Sequence, residues 1–189
     1  MALFYYFFWQ IMNRDIEALS KLFMFRHIST SDLSKLCSAA QPFSFGAGEV
    51  VYRQGEPSKG GLLIVSGKLT AYIGKGKDER NLGDARPGEI IGETGIFSKN
   101  ATRTASVRAT EPTRCLFIDG KLLAKTSDNP AVIALETYLL SSIARRIRKT
   151  GQTIQMFWRE MEKENSKPNS DKKAVSFRTK LNRFFGGGK

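Results

Sequence analysis

Glu93 and Arg103 are the residues of this chain whose types and spacing best suit chemistry. They stand in Gly88-Glu-Ile-Ile-Gly-Glu-Thr-Gly-Ile-Phe97 and Asn100-Ala-Thr-Arg-Thr-Ala-Ser-Val-Arg-Ala109, at the two ends of a short loop of mostly small residues. A carboxylate is an acceptor-only group at neutral pH and can take hydrogen bonds from sugar hydroxyls. A guanidinium offers a planar fork matched to phosphate oxygens. Gly92 lets the backbone approach a ligand with no Cβ in the way. Thr94 to Phe97 can make one helical turn whose free N–H groups would face an anion, and Thr104 adds a hydroxyl beside Arg103. A ligand with both a hydroxyl and a phosphate, such as a sugar phosphate, fits this set. The other reading of the same residues is a buried ion pair between Glu93 and Arg103, which desolvation makes a poor source of stability.

The segments that must position this loop read as short strands. After Pro42 the candidates are 43–45, 49–53, 61–65, 68–73, 80–82, 104–109 and 114–118. They are punctuated by Gly46-Ala-Gly48, Gly55-Glu-Pro57, Ser66-Gly67, Gly74-Lys-Gly76 and Arg86-Pro-Gly88. Short strands at regular spacing, broken by glycine, indicate an antiparallel sandwich or roll. Before them, Asp15 to about Ala40 has helical spacing through Ile16, Leu19, Leu22 and Phe23, with Ser31-Asp32 as the N-cap of a second short helix carrying Leu33, Leu36 and Cys37.

After them, Asn129-Pro130 opens a long helix reaching about Lys163. Leu140, Ile143, Ile147, Thr150, Ile154, Phe157 and Met161 alternate at three and four residues along it, a heptad seam that suits a twin helix. A second set, Ile133, Leu135, Tyr138 and Leu139, lies off that seam and is expected to pack on the β-roll. The expected fold class is therefore mainly β with flanking helices: an antiparallel β-roll, or jelly roll, followed by a long C-terminal helix. The expected organisation is an aromatic N-terminal segment over 1–14, the β-roll with its N-terminal helices over 15–128, the long helix over 129–164 and a basic tail over 165–189.

Composition excludes several function classes. Cys37 and Cys115 are far apart and His27 is the only histidine. That argues against a disulfide framework, a His/Cys metal site and a histidine-based nucleophilic site, and makes a reducing cytoplasm the expected compartment. The net charge of +12 is uneven, since residues 145–189 hold 13 Lys and Arg against 4 Asp and Glu. Such a tail calls for an anionic partner: a membrane surface, a nucleic acid or an acidic protein. Ala174 to Phe185 within it can form a basic amphipathic helix or remain a disordered solubilising tail. The aromatic run Leu3-Phe-Tyr-Tyr-Phe-Phe-Trp9 is too short to span a bilayer. It reads as a docking segment or an interfacial one, or as residue preceding a true start at Met12.

The loop and its scaffold resemble the phosphate-binding cassette of the cyclic nucleotide-binding domain, most closely that of the bacterial catabolite activator protein family. The family pattern stands here as Gly92-Glu-Thr-Gly-Ile-Phe97, Arg103-Thr-Ala105 and Val107-Arg-Ala109. Gly48-Glu49, Gly55-Glu-Pro57, Ser66-Gly67 and Pro87-Gly88 agree too. The likeness covers roughly residues 15 to 160. It implies that Glu93 binds the ribose 2′-hydroxyl, that Gly92, Arg103 and Thr104 hold the cyclic phosphate with Thr94 beside them, and that Thr150 meets the purine amino group.

Gly151, where the family often has serine, and Lys59 and Gly61 depart from the pattern. The tail after Glu164 is too short for the family's winged helix-turn-helix, which argues against sequence-specific DNA binding. The resemblance thus implies a non-enzymatic signalling receptor for cyclic AMP, with cyclic GMP as the alternative ligand and no metal. It would be a homodimer through its long helix, cytoplasmic or peripheral at the inner membrane, with an effector or anionic surface engaged by the tail. The competing expectation is an adaptor whose cassette is structural and whose tail does the binding.

Overall fold

The computed structural model describes residues 2–98 and 100–165. The tail helix expected over 174–185 lies outside them. The chain divides into two compact units, one ending at Leu139 and one beginning at Leu140.

In the first unit, α1 (Ala2–Ser20) and α2 (Thr30–Ala39) precede the strands. The helical pattern expected from Asp15 begins earlier, at Ala2, and α1 runs without a break past residue 14. The N-cap of α2 is Ser29 rather than Ser31-Asp32. Its Oγ accepts from the Asp32 N–H at 3.1 Å while its hydroxyl donates to the Asp32 carboxylate at 2.7 Å. That reciprocal pairing needs an acidic residue three positions on, which Ser29 has in Asp32.

Eight strands follow: β1 (Gln41–Phe45), β2 (Val50–Tyr52), β3 (Gly61–Ser66), β4 (Leu69–Ile73), β5 (Arg80–Ala85), β6 (Ile90–Ile91), β7 (Ser106–Ala109) and β8 (Thr113–Ile118). They form two four-stranded sheets, ordered β1-β8-β3-β6 and β2-β7-β4-β5, and every pairing is antiparallel. This is the β-roll with flanking helices that the turn spacing predicts. The one-turn helix α3 (Thr94–Phe97) sits between β6 and β7, and α4 (Gly120–Lys125) lies after β8.

β3 shows how one strand serves two cores. Alternate residues of a strand face opposite sides. Leu62 and Ile64 join Leu69, Val107, Ala109 and Cys115 in a cluster spanning both sheets. Leu63 and Val65 join Ile16, Leu19, Leu33, Leu36 and Leu116 in a second cluster beneath the helices. Covered on both faces, β3 reads as an unbroken apolar run.

The last helix, α5 (Pro130–Asn165), opens as its sequence requires: the Asn129 side chain accepts from the Ala131 N–H at 2.8 Å and Pro130 fills the first turn. Its first turns bury Val132, Leu135 and Leu139, with Tyr138 half-buried against the same core. Ile133, expected on that face, is exposed instead. The 132-135-139 row faces the core, and Ile133, one residue beyond Val132, is turned about 100° away from it. Beyond Leu139, in the second unit, Leu140, Ile147 and Ile154 of the seam are exposed, Ile143 and Met161 are half-buried and Phe157 is buried.

Candidate functional site

The cassette loop is held by backbone before any side chain acts. The turn after β2 runs against the residues preceding β7. Gly55 N–H donates to the Arg103 carbonyl at 2.8 Å, Arg103 N–H to the Glu56 carbonyl at 2.8 Å, and Ser58 N–H to the Ala101 carbonyl at 2.8 Å. Glu56 closes its own turn by accepting from the Arg53 N–H at 2.9 Å. This short ladder fixes the Arg103 backbone on both sides. Thr104 and Ala105, expected as the first residues of a strand, form a bend, and β7 starts only at Ser106.

The Arg103 side chain is fixed as well. Its guanidinium carbon lies 4.0 Å from the centroid of the Tyr52 ring on β2. Such stacking is worth about 0.5–2 kcal/mol, depending on desolvation. Nη1 donates to the Gly60 carbonyl at 2.8 Å and to the Gly92 carbonyl at 3.4 Å. Both bonds leave from one nitrogen, so among the described residues Nε and Nη2 donate to nothing. A guanidinium anchored at one corner, with its other N–H groups unspent, can receive an anion with little reorganisation.

Gly92 is required by that packing. Its φ is 73°, in the left-handed region, and a Cβ there would lie 2.0 Å from Arg103 Nη1 and 3.3 Å from the Tyr52 hydroxyl. Gly95 is constrained from the other side: a Cβ would meet Ser58 Oγ at 2.1 Å and the Gly60 nitrogen at 2.9 Å. α3 is therefore pressed against residues 58–60, and the glycines of the cassette serve close approach.

Glu93 is half-buried at the N-terminal boundary of α3. Tyr52 registers both charges of the site. Its phenol is pushed up to about 12, chiefly by burial, with the Arg103 charge opposing the rise and the Glu93 charge adding to it. The phenol stays neutral, and its ring remains a platform for the cation.

Of the residues singled out in the sequence, Gly92 and Arg103 are thus packed against Tyr52, and Glu93 follows Gly92 at the start of α3. Thr94 and Thr104 are exposed, each next to a member of this group. Thr150 is exposed on α5 in the second unit. Three groups that shape the site carried no sequence signal: the Tyr52 ring, the Gly60 carbonyl and the Ser58 side chain. Arg108, part of the Val107-Arg-Ala109 motif, is engaged in scaffolding. It pairs with both Glu79 oxygens and stacks 4.7 Å from the Tyr72 ring centroid.

Comparison with known proteins agrees with this fold. Residues 42–129 match the model of the cyclic nucleotide-binding domain. A CRP-like cAMP-activated global transcriptional regulator of Mycobacterium tuberculosis is 29% identical over 142 residues, covering 73% of this chain and 61% of the regulator. Among solved structures, the Thermus thermophilus catabolite activator protein superposes with a TM-score of 0.58 at 26% identity, covering 70% of this chain and 62% of that one. A cAMP-binding acyltransferase from Mycobacterium smegmatis gives a TM-score of 0.55 at 27% identity, covering 78% of this chain and 43% of the other. This chain spans less than two thirds of the length of the curated relatives it matches. Residues 42–129 therefore form a domain of the cyclic nucleotide-binding family, in a β-roll similar to that of catabolite activator proteins.

Proposed function

We propose that this chain is a non-enzymatic receptor whose cassette binds a cyclic nucleotide, cyclic AMP in preference to cyclic GMP. The observation that carries the reading is Arg103. It is stacked on Tyr52 and tied by Nη1 to two carbonyls, and among the described residues Nε and Nη2 are left for a phosphate. In this reading Arg103 and the Gly92 backbone hold the cyclic phosphate, with the Thr94 and Thr104 hydroxyls beside it, while Glu93 accepts from the ribose 2′-hydroxyl. Thr150 on α5 meets the purine amino group.

The preference for cyclic AMP draws support from relatives described as cAMP-activated and cAMP-binding. One of those relatives is an acyltransferase, so the domain also serves enzymes. The non-enzymatic reading rests on the single histidine and scattered cysteines of this sequence. The exposed Leu140, Ile147 and Ile154 suit a second α5, which makes a homodimer part of the proposal. A ligand that contacts both cassette and helix shifts the helix only by its differential affinity for the two positions.

Displacement of a fluorescent cyclic AMP analogue tests this. Cyclic AMP is expected to compete best, cyclic GMP less well, and linear 5′-AMP hardly at all. Equal competition by 5′-AMP would remove the cyclic phosphodiester from the account.

A further inference from the structure

The aromatic start of α1 has no part in the cassette. Residues 2–12 of this helix are Ala-Leu-Phe-Tyr-Tyr-Phe-Phe-Trp-Gln-Ile-Met, and the first charge is Arg14. Three turns of helix carry a single amide, Gln10. A helix apolar on every face belongs in a protein interior or in a membrane.

The second half of α1 is already committed to the domain. Ile16 and Leu19 enter the core, and the buried Asp15 carboxylate takes two hydrogen bonds from Arg114 on β8, at 2.8 and 2.6 Å. That bidentate pair fixes the direction of a continuous helix. Trp9, between the apolar start of the helix and its committed half, has a side chain 57% exposed.

Two features identify the occupant of this apolar half. The first is composition. Tyr and Trp rings are favoured at the boundary between lipid and water. Residues 2–12 extend only about 16 Å as helix, roughly half a bilayer's hydrocarbon thickness, and no helix among the described residues is long and apolar enough to cross a membrane. The second is charge. Arg14 stands two residues after the apolar turns and, with Ile11, Ser66 and the Asp15–Arg114 pair, lines a cavity of about 210 Å³ beside α1. The Arg114 charge is met by Asp15, which leaves Arg14 as the second cation of that cavity.

We propose that the first half of α1 is an interfacial membrane anchor. It lies in the headgroup region of an anionic bilayer, with Arg14 at the level of the lipid phosphates. This is independent of nucleotide binding and of the basic tail.

The test uses the full chain carrying Trp158→Phe, which leaves Trp9 as its only tryptophan. Phosphatidylcholine vesicles are prepared with and without phosphatidylglycerol, and with brominated acyl chains. With the anionic vesicles Trp9 emission is expected to shift to the blue and to be quenched by bromine. Arg14→Gln is expected to weaken the preference for phosphatidylglycerol. Phe4→Glu/Phe8→Glu is expected to lower vesicle affinity at least about tenfold, since each charge must enter the apolar boundary. Vesicle binding without quenching of Trp9 overturns the proposal and assigns attachment to another part of the chain. A blue shift that grows with protein concentration in the absence of lipid, and is lost in Phe4→Glu/Phe8→Glu, overturns it in favour of a second copy covering α1. Because Trp9 quenching is read in an otherwise native chain, a failure of the double variant to fold does not remove the test.

Discussion

Gly92→Ala separates a site built around Arg103 from a loop that merely contains an arginine. Two costs are expected. The first is backbone strain, because Gly92 has φ of 73° and a residue with a Cβ in this region loses about 1–2 kcal/mol. The second is steric: the new Cβ would stand 2.0 Å from Arg103 Nη1 and 3.1 Å from its Cζ. The guanidinium must leave its place, giving up the Gly60 bond and the stack on Tyr52. Since the side chain is half-exposed, water recovers part of that loss, and about 1 kcal/mol is a fair figure.

Gly48→Ala is the control. Its φ is 84°, and nothing lies within 4 Å of its Cβ position, so only the strain applies. Urea unfolding is therefore expected to show Gly92→Ala about 1 kcal/mol less stable than Gly48→Ala. Cyclic nucleotide titration is expected to show affinity falling at least about tenfold in Gly92→Ala alone. Equal behaviour of the two variants in both assays would refute the argument that Arg103 is held against Gly92.

Three further outcomes are expected. Asp15→Asn removes the carboxylate that takes both bonds from Arg114. It should cost about 2–3 kcal/mol, below the full figure for a buried pair because Arg114 is partly exposed; the loss should shrink in an Arg114→Met background if the two residues act as a pair. Ile147→Glu, at a position 67% exposed, should leave the unfolding midpoint nearly unchanged while converting a dimer to a monomer by light scattering. A dimer that survives it would show that the seam is not the interface. Burial raises the thiols of Cys37 and Cys115 from 9.0 to about 12, assisted by the Asp15 charge at Cys37 and opposed by Arg114 at Cys115. The folded state thus favours the protonated thiols. Their stabilising contribution is full below pH 9.0 and is lost as pH rises towards 12. Cys37→Ala/Cys115→Ala should accordingly show a shallower loss of stability than the wild type across that window.

What the sequence disclosed and what it concealed have different physical origins. The β-roll is legible because its strands are short, regularly spaced and separated by turns that fall at glycines. Asn129-Pro130 likewise announced α5. Glu93 and Arg103 were legible because their chemistry is carried by residue type within one loop. Tyr52 was not. It reaches Arg103 from 51 positions earlier, and stacking of a ring on a guanidinium leaves no local pattern. The Gly60 carbonyl is invisible for a stronger reason, since every residue has one. β6 leaves no trace because Ile90-Ile91 is too short for a period to show, and Ile133 lies a single step around the helix from the row that faces the core. Ser29, two residues before Ser31, is legible in the serine-x-x-acid spacing it makes with Asp32.

The central claim is that Arg103 receives the phosphate of a cyclic nucleotide. Isothermal titration of cyclic AMP and cyclic GMP into the wild-type chain and into Arg103→Ala tests it most directly. Saturable heat is expected in the wild type, and affinity should fall about 30-fold or more in the variant, as loss of a charged hydrogen-bonding partner worth about 2–3 kcal/mol implies. No heat with either nucleotide at submillimolar concentration, or equal affinity in the two proteins, would contradict the account.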